Sequence, residues 1–231
     1  MSKLLKTDGR HRTLEGWPLV FSILTGISIL VGGVVEFLPL VLLESSVPTI
    51  STVTPYTPLE LAGRDIYIAE GCGNCHSQMV RPFRDEIERY GEYSKPGESV
   101  YDRPFLWGSK RTGPDLARLG GKYPDLWHVR HMDDPRSTSP SSLMPPYSWL
   151  LTKDLNFGGI PAKMNALAAL GTPYSDAEIQ EAESAARSQA QQIARNVSSN
   201  GGPSGLEEKQ ITAMVAYLQR LGADLKKSNN Q

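Results

Sequence analysis

The chain has 231 residues, with 24 Lys and Arg set against 25 Asp and Glu for a formal net charge of −1. That balance leaves no electrostatic footprint for a nucleic-acid partner, and the length admits one sizeable domain plus additions. With 17 prolines and 21 glycines, many loops around short helices are expected in place of a large regular core.

Lys3, Lys6, Arg10 and Arg12 precede an apolar run from Trp17 to Leu43 that only Glu36 interrupts. At ~1.5 Å per residue the run reaches ~40 Å as a helix, enough to cross a ~30 Å hydrocarbon layer with some tilt. No small-residue cleavage site closes it, so residues 17–43 read as an uncleaved single anchor. Residues 1–16 are then cytoplasmic, and all that follows Leu43 is outside. Glu36 either faces a polar pocket of a partner subunit or sits at the outer interface; residues 18–35 already span, which favours the interface. Pro39 is expected to kink or end the helix. Residues 44–57 are rich in Ser, Thr and Pro without a hydrophobic period, and read as a semi-extended linker.

Thr57-Pro58-Leu59-Glu60 is a capping box with proline at the first helical position. Leu59, Ala62, Ile66 and Ala69 share one face of the helix it starts, and Gly71 closes that helix just before Cys72. Cys72-Gly73-Asn74-Cys75-His76 follows, holding the only two cysteines of the chain. This spacing serves covalent attachment of a c-type haem: two thiolates one turn apart reach the two vinyl groups, and the adjoining imidazole reaches the iron. Other readings lack support. A thioredoxin-like pair needs a βαβ surrounding. A structural zinc site needs a second ligand pair, and the remaining histidines are His11, His128 and His131. A Cys72–Cys75 disulfide would close too small a loop to stabilise much. One covalent haem c is expected, with Cys72 and Cys75 as its attachment points and His76 on the iron.

Residues 77–112 form a long, charged insertion of little periodicity, and Thr112-Gly113-Pro114-Asp115-Leu116 follows it. This resembles the Gly-Pro-x-Leu segment of small c-type cytochromes, which implies that the Pro114 carbonyl accepts a hydrogen bond from the haem histidine and raises its basicity. The opposite iron ligand is sought among methionines. Met79 is too close in sequence to His76 to cross the haem, and Met214 falls in a core stripe; Met132 and Met144 remain. Ser142-Leu143-Met144-Pro145-Pro146-Tyr147 resembles the Met-Pro loop of c-type cytochromes, its prolines keeping the backbone extended, and Met144 is preferred. A thioether there raises the reduction potential and closes the iron to oxygen. Arg111, Lys110 and Trp107 carry cations and an indole donor suited to the haem propionates. His128 and His131, spaced i, i+3, read as hydrogen-bonded at a helix surface or partner contact.

A second insertion covers residues 152–203. Ser175-Asp176-Ala177-Glu178 is another capping box, and Ile179, Ala182, Ala186, Ala190, Ile193 and Val197 form a narrow stripe suited to close helix packing, up to a stop at Asn200-Gly201-Gly202-Pro203. Ser204 and Glu207 are expected to cap the last helix, whose Ile211, Met214, Val215, Leu218 and Leu221 make a wide apolar face before the stop at Gly222. Residues 58–224 thus make the haem domain and 225–231 a flexible tail.

The expected fold is all-α: a single N-terminal transmembrane helix, then a cytochrome c-like helical haem domain with long loop insertions and an extra helix. Three stretches carry a more specific resemblance: SQMVRPFRDEIERYGEYS, YDRPFLWGSKRTGPDLARLGGKY and DPRSTSPSSLMPPYSWL. In this order behind an anchor they make the chain similar to subunit II of cbb3-type cytochrome c oxidases, the membrane-anchored mono-haem cytochrome c subunit. The resemblance implies a proton-pumping oxidase in a bacterial inner membrane, with this domain periplasmic and relaying electrons while a b-haem and copper subunit reduces oxygen to water. A di-haem cytochrome c subunit is the implied second partner, beside membrane lipid. The sequence itself offers no histidine cluster fit for copper. Alternative readings are the cytochrome c subunit of nitric oxide reductase, a free membrane-tethered carrier, and a haem-based sensor with a labile ligand.

Overall fold

The computed structural model describes residues 15–43 and 49–228, in two compact units that meet in sequence at Pro48. The basic residues Lys3, Lys6, Arg10 and Arg12, His11 and part of the linker lie outside the described residues. Among those described the structure is helical, with one isolated β-bridge between Asp154 and Lys209.

The first unit holds α1, Pro18–Leu42, entered through a proline at its first position. It is the one helix among the described residues long and apolar enough to cross a membrane. Pro39 does not end it: the helix runs on to Leu42, and the Leu43 N–H donates to the Pro39 carbonyl at 2.9 Å. Proline forfeits one backbone donor, and so near the end of a 25-residue helix that loss does not stop the chain.

The second unit is built on the crossing of its first and last long helices. α2, Pro58–Ala69, starts at the expected capping box, where the Thr57 N–H donates to Glu60 Oε2 at 2.8 Å and the Glu60 N–H to Thr57 Oγ1 at 3.3 Å. Gly71, at φ +72°, turns the chain out of it. A 3-10 turn, Cys72–Asn74, follows. The insertion is less irregular than its sequence: it holds α3, Arg84–Tyr90, and a 3-10 turn at Pro96–Ser99. It is also strapped to α2, since buried Arg64 donates Nε to Asp102 at 3.2 Å and Nη1 to the Arg103 carbonyl at 3.1 Å.

Further along come α4, Asp125–Asp133, α5, Ile160–Ala169, α6, Asp176–Gln180, and α7, Ala182–Ser199. The chain closes with α8, Gln210–Arg220, and α9, Ala223–Ser228. α8 lies across α2, and Gly63 makes the approach possible: a Cβ built there would stand 1.9 Å from the Ala213 carbonyl oxygen. Tyr67 and Tyr217, each four residues on from that contact, meet edge to face at 5.4 Å. Leu59, Ile211, Met214 and Val215 are all at most 1 % exposed around it, each worth ~1.5–3 kcal/mol when fully buried.

Two expected helices are corrected. The alanine helix breaks at Glu181, and its buried seam runs Ala182, Ala186, Ala190, Ala194 and Val197, with Ile193 partly buried beside it against the core. The seam packs against α2 and α8 of its own domain. α8 begins at Gln210 behind Lys209 with no side-chain cap, not at the Ser204/Glu207 pattern. Pairing with a distant segment takes precedence there: the Leu155 N–H bonds the Glu208 carbonyl at 2.8 Å, and the Gln210 N–H bonds the Lys153 carbonyl at 3.0 Å.

Candidate haem-attachment site

α2 delivers the Cys72–His76 motif, and the segment 107–117 receives it. The Gln78 N–H bonds the Trp107 carbonyl at 2.7 Å, the Gly113 N–H bonds Cys75 at 3.0 Å, and the Leu116 N–H bonds Ser77 at 2.9 Å. Between these bonds, His76 Nδ1 lies 2.8 Å from the Pro114 carbonyl oxygen. A carbonyl only accepts, so Nδ1 carries the proton and Nε2 keeps its lone pair. Gly113 lies against the same ring: a Cβ built there would sit 2.2 Å from His76 Cε1.

Cys72 and Cys75 are both free thiols, Cys72 half-buried and Cys75 exposed. Burial, aided by neighbouring Glu70, pushes the Cys72 thiol up to about 11, so it stays protonated near neutral pH until a partner is brought to it.

The remaining sequence-derived candidates fall around this motif. Met132 is buried in the core, 7 % exposed. Met144 is half-buried and packs on the edge of that core, as do Tyr147 and Cys72. The Met144 N–H donates to Ser142 Oγ at 3.2 Å, and the Tyr147 N–H to the Met132 carbonyl at 2.7 Å. Burial raises the Tyr147 phenol, and Cys72 and Cys75 add to that. Met164 and Met214 lie in the core, and Met79 stays on the His76 side, where its N–H donates to Asp115 Oδ2 at 2.8 Å.

Arg111 and Trp107 both have partners within the protein. Arg111 grips Glu86 with Nη1 and Nη2, each at 2.7 Å, and also reaches Ser77 Oγ and, at 3.0 Å, the Met79 carbonyl. These bonds, with further ones from Arg81, hold the Glu86 carboxyl down at about 2. Trp107 stacks on Phe105 at 4.4 Å and donates Nε1–H to Ser99 Oγ at 3.1 Å. Lys110 is exposed.

His131 and His128 differ sharply. His131 stacks on Trp127 at 4.5 Å, and its Nδ1 lies 2.6 Å from Thr138 Oγ1. Burial lowers its affinity for a proton, and the neighbouring His76 imidazole lowers it further. His128 is 1 % exposed, burial drives it down to about 4, and its Nε2 has no hydrogen-bond partner among the described residues. Sequence reasoning passed over Ser77, Glu86, Gly113 and Asp115. Only the position of Gly113 and Asp115 on either side of Pro114 could have drawn attention to them.

Residues 11–225 match the family described as cytochrome C oxidase, mono-heme subunit/FixO. The chain belongs to that family. A comparison with curated proteins finds no match. Membership makes the protein a mono-haem subunit of a cytochrome c oxidase, one part of a larger oxidase complex. The donor set suits one haem, since two thiols, a histidine with its Nδ1 proton fixed, and a glycine that clears space for the ring stand together. For a FixO-family chain, α1 is compatible with a single-pass anchor.

Proposed function

We propose that this chain is the electron-relay subunit of a cbb3-type cytochrome c oxidase. One haem c would be bound through Cys72 and Cys75, with His76 and Met144 on its iron. Electrons would come from a di-haem cytochrome c subunit or a soluble c-type cytochrome, and leave to the b haem of the catalytic subunit. That subunit, with its copper, reduces oxygen to water. The observation that carries this reading is the fixed His76 ring behind two free thiols: its Nδ1 proton is given to Pro114, which leaves Nε2 for a metal.

When bound, the haem supplies a one-electron couple. The protein does the rest by holding still. Pro114 would raise the basicity of His76 through the ring N–H, and the lack of a side chain at Gly113 leaves the ring the room it occupies. Met144, on a proline-stiffened loop at the edge of the core, would supply a thioether that favours the reduced state and leaves no site open to oxygen.

The remaining parts of the reading follow from position. Residues 17–43 anchor the chain in a bacterial inner membrane with residues 1–16 cytoplasmic, the 44–57 linker leads outward, and residues 58–224 form the haem domain in the periplasm ahead of a 225–231 tail. His128 belongs to the core of that domain, and His131, stacked on Trp127 and bonded to Thr138, is assigned no role on the iron.

The experiment is to tag the C-terminus, extract membranes in mild detergent and assay the purified material for oxygen and nitric oxide reduction. Oxygen reduction with b-type haem and copper is expected. Nitric oxide reduction accompanied by non-haem iron would replace this reading with the reductase subunit.

A further inference from the structure

The segment that holds His76 is itself held by a chain of buried charges. The Asp115 side chain is 0 % exposed, and its carboxylate accepts three hydrogen bonds. Oδ2 takes the Ser77 hydroxyl at 2.6 Å and the Met79 N–H at 2.8 Å, and Oδ1 takes the Ala117 N–H at 2.8 Å. Arg111 Nη2 stands 3.5 Å from the same Oδ2 while its fork grips Glu86. Ser77 follows His76 in sequence, and Asp115 follows Pro114. The carboxylate therefore joins the residue after the ring to the residue after the carbonyl that the ring bonds.

A buried carboxylate is costly unless it is paired and saturated with donors. Asp115 is, and saturation makes the joint directional: the bonds from Ser77 and Met79 fix the angle as well as the distance between segments 76–79 and 113–117, and the Ala117 N–H holds the carboxylate in its own turn. A hydrogen bond weakens steeply with misalignment, so the His76–Pro114 bond is only as good as this joint.

We propose that Asp115, steadied by Arg111 and Glu86, is the positioning residue for His76, and through the Pro114 carbonyl sets how firmly the iron keeps its electron. The proposal rests on the reading of His76 as an iron ligand. A firm ring N–H bond makes the ligand more basic and favours oxidised iron; a slack one favours reduced iron.

The test uses the intact oxidase in its membrane, with Ser77→Ala and Asp115→Asn as variants. Ser77→Ala removes one hydroxyl and no charge. Asp115→Asn sets an amide nitrogen, which cannot accept, against the backbone N–H of either Met79 or Ala117. The readouts are the midpoint potential of the c-type haem and the electron paramagnetic resonance of its oxidised form, which reports ring orientation. At a fixed ambient potential the reduced-to-oxidised ratio is expected to rise about threefold in Ser77→Ala. In Asp115→Asn the expected rise is about tenfold, equal to about 59 mV for one electron. Both resonance spectra should shift. Unchanged potential and resonance in both variants overturn the proposal, and if Asp115→Asn does not accumulate, Ser77→Ala decides alone. His76→Gly separates the underlying reading: a retained low-spin spectrum means another residue ligates the iron, and the site assignment itself falls.

Discussion

The two sides of the candidate site are built by different means. On the His76 side, segments 75–79 and 107–117 are laced by three backbone bonds and by two more to the buried Asp115 carboxylate, from Ser77 and Met79. On the Met144 side, the loop makes short-range bonds at Ser142, to the Ser139 carbonyl and from the Met144 N–H, and reaches a more distant segment through the Tyr147 N–H on the Met132 carbonyl, with Pro145 and Pro146 exposed. One proposed ligand is set by a lattice of directional bonds, the other by a stiff but thinly tied loop. The difference teaches where each perturbation should act: on the first side a small change of shape is felt at once, whereas on the second the ligand itself must be lost.

Gly113→Ala should have the largest effect. Its Cβ would stand 2.2 Å from His76 Cε1, so the ring must swing off its bond with the Pro114 carbonyl. The low-spin haem spectrum of the purified subunit is expected to be lost in most molecules; a normal spectrum would mean that the braced side yields. Met144→Ala comes next. Covalent haem should persist in a denaturing gel while the native reduced spectrum changes, and an unchanged spectrum would move the ligand to Met132.

Gly63→Ala tests whether such effects are local. It crowds the α2–α8 crossing away from both ligands, and overpacking of this kind costs ~1–3 kcal/mol. Thermal unfolding should drop by ~2–4 °C for each kcal/mol in a unit of this size, with the haem spectrum of the folded fraction unaltered. The smallest effect concerns pH. Glu86 titrates near 2 in the folded chain and at ~4.3 when unfolded, so its contribution is whole above that range and drains away as pH falls toward 2. The gap in unfolding temperature between the native chain and Glu86→Gln should be constant near neutral pH and close below about pH 4.5.

Much of the fold was legible because its signals are local. Thr57 and Glu60, Ser175 and Glu178, Gly71 and Gly222 start or stop helices through neighbours within a turn, and the apolar run before Leu43 speaks for itself. The attachment motif was equally plain, with all its donors inside five residues. Contacts across long separations were not. Asp115 meets Met79 at 36 residues' distance, and nothing near an aspartate says whether its carboxylate will be buried. The Ser204/Glu207 pattern misled for the same reason, since Lys153 and Leu155 claim that segment from some 50 residues away. Arg111 read as free for a ligand because Glu86, 25 residues back, carries no mark of its partner.

The seam of α7 bears on the haem motif through α2. Ala182, Ala186 and Ala190 are fully buried, and the Thr57 hydroxyl at the head of α2 reaches Gln189 on the same helix at 2.9 Å. A methyl group has no rotamer to change, so docking such a seam freezes no side-chain motion and leaves none to absorb a displacement. α7 is in this sense a splint: whatever load reaches it is handed whole to α2, at whose end the attachment cysteines begin.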